Sequence, residues 1–150
     1  MFAGSFDPFT KGHENIVKRA LSLMDEVVIG IGVNDSKHCL LSAEERLSMI
    51  AAHYAHEPRV KVATYKNLTV DFAQEVNATC IIRGVRSVKD FEYEENMAEV
   101  NRRLTGIDTV LLFTEPGLGC VSSSVVRELI RYGKDVTEFL PEGMELKKEL

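Results

Sequence analysis

The sequence predicts an α/β fold built on a doubly wound, five-stranded parallel sheet. Three observations carry that expectation. β-Branched apolar runs alternate with segments of helical periodicity along the whole chain, the rhythm of successive βαβ units. The run Val27-Val28-Ile29-Gly30-Ile31-Gly32-Val33 is apolar on both faces, as a strand must be when helices cover both sides of its sheet. Glycines, serines and cations cluster where these runs end, and right-handed crossovers bring such ends to one edge, where ligands bind.

Taken in order, a very short first strand ends at Gly4-Ser5, because only two residues precede Ala3. Pro8 forces a turn, and Thr10 can cap the helix that Gly12-His13 opens. Ile16, Val17, Ala20, Leu21 and Met24 give that helix its apolar face. After the second strand, Ser42-Ala43-Glu44-Glu45 is a capping box for a helix running to about His56. Val60 to Thr64 reads as the third strand, Val70 to Val76 as a short helix, and Cys80-Ile81-Ile82 as a fourth strand ending at Arg83-Gly84. A long helix follows from Val88 to Leu104 and is closed by Gly106. Thr109 to Phe113 is the fifth strand, and Ser123 to Tyr132 a helix stopped by Gly133. From Glu138 onward one more short helix is expected. No linker, repeat or low-complexity segment interrupts the chain, so residues 1–150 are expected to form a single domain.

Composition narrows the function. The net charge of −5 argues against a general nucleic-acid binder, which needs a basic face. Positive charge is local, at Lys37, Arg83, Arg86, Arg102 and Arg103, and suits a small polyanion. Cys39, Cys80 and Cys120 are odd in number and lack metal-ligand spacing, which points to a reducing cytoplasm rather than a disulfide framework. No apolar run approaches the ~20 residues of a membrane helix, and no signal-peptide pattern is present.

Three segments carry chemistry. In Gly4-Ser5-Phe6-Asp7-Pro8-Phe9-Thr10-Lys11-Gly12-His13, a strand passes into a helix whose first N–H groups and dipole make an anion site. His13 is placed to reach a phosphate there, Gly12 lets a nucleotide approach the backbone, and Lys11 adds a cation beside His13. In Arg83-Gly84-Val85-Arg86, two arginines past a strand suit the capture of phosphate oxygens. In Val121-Ser122-Ser123-Ser124-Val125-Val126-Arg127, hydroxyls and N–H groups at a helix start form another phosphate cradle.

With these segments in order over essentially the full length, the chain resembles the bacterial-type phosphopantetheine adenylyltransferases of the nucleotidyltransferase superfamily. The most discriminating match is Arg83-Gly84-Val85-Arg86 running into Asp90-Phe91-Glu92-Tyr93-Glu94. The resemblance implies a Rossmann-like nucleotidyltransferase fold and reversible transfer of adenylate from ATP to 4′-phosphopantetheine, giving dephospho-CoA and pyrophosphate. It implies that His13, Lys37 and Arg86 are catalytic, with Ser5, Lys37, Thr69 and Arg83 on the phosphopantetheine side. Leu68, Met97 and Asn101 would line the pantetheine arm. ATP would meet Ser5, Phe6, His13, Gly84, Val85, Arg86, Glu94 and the run Leu118, Gly119, Cys120, Val121, Ser122, Ser123 and Ser124. Mg2+ would bridge substrate phosphates, largely through water. A cytoplasmic homohexamer with coenzyme A as feedback ligand is also implied. One stretch departs from the family: Leu118-Gly119-Cys120 stands where relatives show an aromatic residue, a serine and a phenylalanine.

Plainer readings exist for the same residues. Gly12-His13 can be a simple helix start, Lys37 a solvated loop lysine, and Arg86 a partner of Asp90 or Glu94. Asp7 is expected to fix its turn, Phe91 and Met97 to be core, Cys80 to be buried in its strand, and His38, His53 and His56 to lie at the surface. Two rivals stand beside the adenylyltransferase. One is a nucleotidyltransferase acting on nicotinate mononucleotide or a polyol phosphate. The other is a nucleotide-binding sensor without turnover.

Overall fold

The computed structural model describes residues 1–34, 36 and 38–146. Its strands are β1 (Phe2–Gly4), β2 (Val27–Gly32), β3 (Val60–Tyr65), β4 (Cys80–Val85) and β5 (Asp108–Phe113). The helices between and after them are α1 (Lys11–Ala20), α2 (Ala43–His53), α3 (Thr69–Glu75), α4 (Val88–Thr105) and α5 (Ser123–Arg131). All strands are parallel, in the order β3-β2-β1-β4-β5. Strand order therefore reverses at β1, where Phe2 pairs with Ile29 on one side and Ile82 on the other.

Side-chain alternation along each strand feeds two cores. On one face Phe2, Ile29, Ile31 and Ile82 pack with Ile16, Val17 and Ala20 of α1 and Ile50 of α2. On the other, Ala3 and Ile81 meet Val70, Phe72 and Ala73 of α3. Fully burying one such side chain is worth roughly 1.5–3 kcal/mol, so β1 and β2 anchor the edge from which the site grows. Helices cover both faces, as the two-sided apolar run of β2 predicts.

Four expectations need correction. The tail after Glu138 forms no α-helix within the described residues; Thr137–Phe139 is one 3-10 turn. Pro141 and Gly143 (φ 75°) then break the chain, while Leu140 and Met144 stay buried in irregular backbone. Helix α1 stops at Ala20, so Leu21 and Met24 join the core from a turn. Strand β4 runs on through Val85, which puts Arg83 and Gly84 inside the strand rather than past it. Cys80 is only half-buried. Helix α4 ends as expected, with Gly106 in the left-handed region (φ 76°) that glycine adopts without steric cost.

Candidate active site

The turn between β1 and α1 is buried and densely hydrogen-bonded. Phe6, Asp7, Phe9 and Thr10 are all buried. The Thr10 backbone N–H donates to Nδ1 of His13 at 3.0 Å, and the Thr10 hydroxyl lies 3.0 Å from the same nitrogen. Nδ1 is therefore the acceptor, and the ring proton resides on Nε2. The imidazole is held among Phe2, Phe6 and Phe9, with Phe6 edge-on at 5.1 Å. Burial, then the charges of Arg86 and Arg83, lowers its pKa from 6.5 to about 3. A neutral histidine with a fixed N–H is a donor that needs no reorganisation when negative charge grows beside it.

Lys11 and Asp7 act differently from expectation, whereas Gly12 borders the cavity at this turn. A Cβ at Gly12 would lie 3.3 Å from the Val121 carbonyl oxygen, so this glycine admits the loop before α5 against α1. Lys11 is not beside His13; its Nζ donates to the Glu138 carbonyl at 2.7 Å. Asp7 does more than fix its own turn, because its two carboxylate oxygens accept the N–H groups of Leu40 and Leu41, each at 2.8 Å.

From β4 and α4 come two paired arginines. Arg83 donates from Nε and Nη2 to the two oxygens of Glu94 at 2.8 and 2.7 Å, and from Nη1 to the Ala3 carbonyl. Burial works against its charge, but the Glu94 bond and charge, aided by Tyr65 and Tyr93, outweigh it and hold its pKa above the ordinary arginine value. Arg86 bonds Asp90 through Nε at 3.1 Å, the pairing that the plainer reading foresees. This second pair is more exposed than the first.

At the start of α5 each serine oxygen makes a hydrogen bond within the protein, but only Ser123 uses its O–H as donor. Ser122 Oγ accepts the Val125 N–H at 3.2 Å, Ser123 Oγ donates to the Pro8 carbonyl at 2.8 Å, and Ser124 Oγ accepts from Arg127. This end of the helix can offer an anion its first-turn backbone N–H groups and dipole, and the O–H groups of Ser122 and Ser124, which only accept in these bonds.

These groups border connected cavities at the carboxyl ends of the strands. One, of about 420 Å3, is lined by Ser5, Phe6, His13, Gly84, Arg86, Glu94, Val121, Ser122, Ser123 and Ser124, and also by Arg83. A second, of about 680 Å3, opens between Ser5, Gly32, Tyr65, Thr69 and Arg83. A smaller apolar one, of about 210 Å3, lies beneath α4 and is bordered by Leu68, Thr69, Arg83, Met97 and Asn101. Ser5 and Arg83 stand where the first two meet. Lys37 lies outside the described residues. Val85 is buried in β4 and, like Leu118, Gly119 and Cys120, does not line the first cavity. Leu118 borders a separate depression beside α1 and Tyr54. Met97 and Phe91 are partly exposed rather than core. His38 and His56 are exposed, whereas His53 is half-buried against Glu14 at 2.8 Å.

Sequence reasoning missed two cations. Arg46 is buried, and its guanidinium donates to the carbonyls of Ser5 at 2.7 Å, Gly32 at 3.3 Å and Ser42 at 3.2 Å. It thus straps the ends of β1 and β2 to α2 and sets a positive charge beneath Ser5. Its signal was a charged residue four positions before Ile50 on the buried face of α2. Arg127 borders the first cavity and donates to the Asp7 carbonyl at 2.6 Å. Its place one turn after Ser123 was the available hint.

Among the described residues no group of three or more His, Cys, Asp or Glu could hold a metal ion. Asp90 and Glu94, the carboxylates bordering the first cavity, already bond Arg86 and Arg83.

The profile of the cytidylyltransferase-like family matches residues 1–129, which puts this doubly wound sheet, with its buried first turn and neutral histidine, in the class of the nucleotidyltransferases. Phosphopantetheine adenylyltransferases of Bacteroides thetaiotaomicron and Bacteroides fragilis are each 57% identical over 97% of this chain and 97% of their own. That of Phocaeicola vulgatus is 58% identical with the same coverage. The chain belongs to the phosphopantetheine adenylyltransferase family. Among solved structures, a bifunctional NMN adenylyltransferase/ADP ribose pyrophosphatase from Francisella tularensis, complexed with AMP and a manganese ion, aligns with TM-score 0.68 at 16% identity. The alignment covers 93% of this chain but only 43% of that one. A lipopolysaccharide core biosynthesis protein from Thermoplasma volcanium aligns with TM-score 0.55 at 22% identity, over 77% of this chain and 93% of its own. These two likenesses are of fold alone.

Proposed function

We propose that this protein transfers adenylate from ATP to 4′-phosphopantetheine, forming dephospho-CoA and pyrophosphate. The observation that carries the reading is the meeting of two cavities at Ser5 and Arg83, one of them bordered by a neutral His13. ATP occupies the cavity beneath α5, with its phosphates toward His13, Arg86 and the α5 N-terminus. The acceptor phosphate enters from the side of Gly32 and Thr69, and its pantetheine arm runs toward Leu68, Met97 and Asn101.

An oxygen of the acceptor phosphate attacks the α-phosphorus in line. Its new P–O bond forms as the bond to the β-phosphate oxygen breaks and pyrophosphate leaves. The attacking oxygen is already anionic, so no general base is needed. His13 Nε2–H donates to an α-phosphate oxygen as charge accumulates there, and Lys37 and Arg83 offset repulsion between the two phosphates. Magnesium, when bound to the ATP phosphates, would supply neutralising charge there. Like the homohexameric state, cytoplasmic residence and coenzyme A feedback, it belongs to this reading by family resemblance. Partly exposed Phe91, Met97 and Val100 on α4 give a subunit contact an apolar surface to use.

The test is pyrophosphate release from Mg·ATP with 4′-phosphopantetheine, nicotinate mononucleotide or glycerol 3-phosphate as acceptor. Release with 4′-phosphopantetheine alone is expected. Release only with another acceptor would overturn the substrate, and no release from folded, ATP-binding protein would favour the sensor.

A further inference from the structure

We propose that Tyr65 is a specificity-determining residue of the acceptor cavity. Its hydroxyl, paired with that of Thr69, recognises an amide on the arm of a phosphate-ester acceptor. The inference rests on the transfer reading above and deepens it, because it assigns a contact to a side chain that the mechanism does not use.

Tyr65 is the last residue of β3 and pairs in register with Gly32 of β2. Its ring stacks on Phe72 of α3, with centroids 4.7 Å apart and planes 6° from parallel. Two glycines of β2 leave room for this stack. A Cβ at Gly30 would lie 3.1 Å from Cε1 of Phe72 and 3.3 Å from Cε1 of Tyr65. At Gly32 it would lie 3.3 Å from the Tyr65 hydroxyl oxygen. That hydroxyl and the Thr69 hydroxyl are hydrogen-bonded at 2.9 Å. Ring and hydroxyl are thus set before a ligand arrives, which spares a contact the cost of ordering them.

Tyr65 and Thr69 both border the cavity of about 680 Å3, and neither borders the one assigned to ATP. Thr69 also borders the apolar cavity beneath α4, so the pair stands where the acceptor's path turns from polar to apolar. Two hydroxyls that share one hydrogen bond keep one O–H free to donate and lone pairs free to accept. An amide answers with one carbonyl and one N–H. The walls beyond, which include Leu68, Met97, Val100 and Leu104, decide between an amide-bearing arm and a polyol. An arm polar only at its amides can enter them, whereas a polyol phosphate sets hydroxyls against them at the cost of desolvation.

The experiment compares wild type with Tyr65→Phe, which keeps the stacked ring and removes only the hydroxyl. For each, kcat/KM is measured with 4′-phosphopantetheine and with 4-phosphopantoate, the same phosphate ester cut before its first amide. Tyr65→Phe is expected to lower kcat/KM for 4′-phosphopantetheine about 3- to 10-fold, the loss of one neutral hydrogen bond, through KM rather than kcat. Transfer to 4-phosphopantoate and KM for ATP should stay within about twofold, because neither ligand meets the lost hydroxyl. Where transfer to 4-phosphopantoate is too slow to time, its inhibition constant gives the same comparison. Equal losses with both acceptors would overturn the proposal and leave Tyr65 a merely structural role; no loss with either would overturn it as well. If Tyr65→Phe does not fold, Thr69→Val removes the other hydroxyl and carries the same comparison. Wild type inert toward 4′-phosphopantetheine fails the transfer reading and takes the proposal with it. Active wild type with an unaltered preference in the variant overturns the proposal alone.

Discussion

The turn from Asp7 to His13 and the arginine rim at the start of α4 both face the same cavity, yet they are built in opposite ways. In the turn, Asp7 and Thr10 are buried and bonded to backbone or to the His13 ring. At the rim, Arg86 is paired with Asp90, a partner on the next helix that is itself partly exposed. The first arrangement is fixed by the fold and survives without substrate. The second is a surface ion pair, worth about 0.2–1 kcal/mol, that a polyphosphate can displace. Chemistry is thus placed on the rigid element and capture on the adaptable one.

The largest effect expected from this contrast lies in the turn. His13→Ala should lower kcat about 10²–10³-fold in a protein that still folds and binds ATP. A variant of near-normal turnover would break the comparison at its rigid end. At the rim, Arg86→Ala should act mainly on binding. Loss of a charge-assisted bond worth about 1.5–3 kcal/mol corresponds to ATP affinity weaker by about 10- to 10²-fold. The smallest effect sharpens the picture through its sign. If Asp90 merely holds Arg86 until phosphate arrives, Asp90→Asn should leave ATP affinity unchanged or improve it by up to about fivefold. A clear weakening would show that the pair persists in the complex.

Much of this was legible in the residues, and the misses have physical causes. The two-sided apolar run of β2 and the Gly106 and Gly133 stops fixed element order, because burial and positive φ leave direct marks in sequence. The end of β4 was misread because an arginine and a glycine usually terminate strands. Here Arg83 can remain in one, since Glu94 and the Ala3 carbonyl satisfy it. The tail forms no α-helix among the described residues because Pro141 and Gly143, at φ 75°, interrupt it. Within the site, the residue types around His13 and Arg83 were readable from motif spacing. For Arg46 only its place on the buried face of α2 was readable; its acceptors, the backbone carbonyls of Ser5, Gly32 and Ser42, carry no sequence signature. The same holds for Asp7, whose partners are the amides of Leu40 and Leu41.

A depressed histidine pKa also links the turn to stability. Between about pH 6.5 and 3 the unfolded chain takes up the His13 proton and the folded chain does not. The contribution of His13 to stability is therefore complete above pH 6.5 and is lost as pH falls toward 3.

The most direct test of a preset turn is a 15N NMR titration of the His13 ring in the free protein from pH 8 to pH 4. The account predicts one neutral tautomer throughout, protonated at Nε2 and unprotonated at Nδ1, with no inflection near 6.5. Titration near 6.5, or a mixture of tautomers, would contradict it and leave the donor to be set by the substrate.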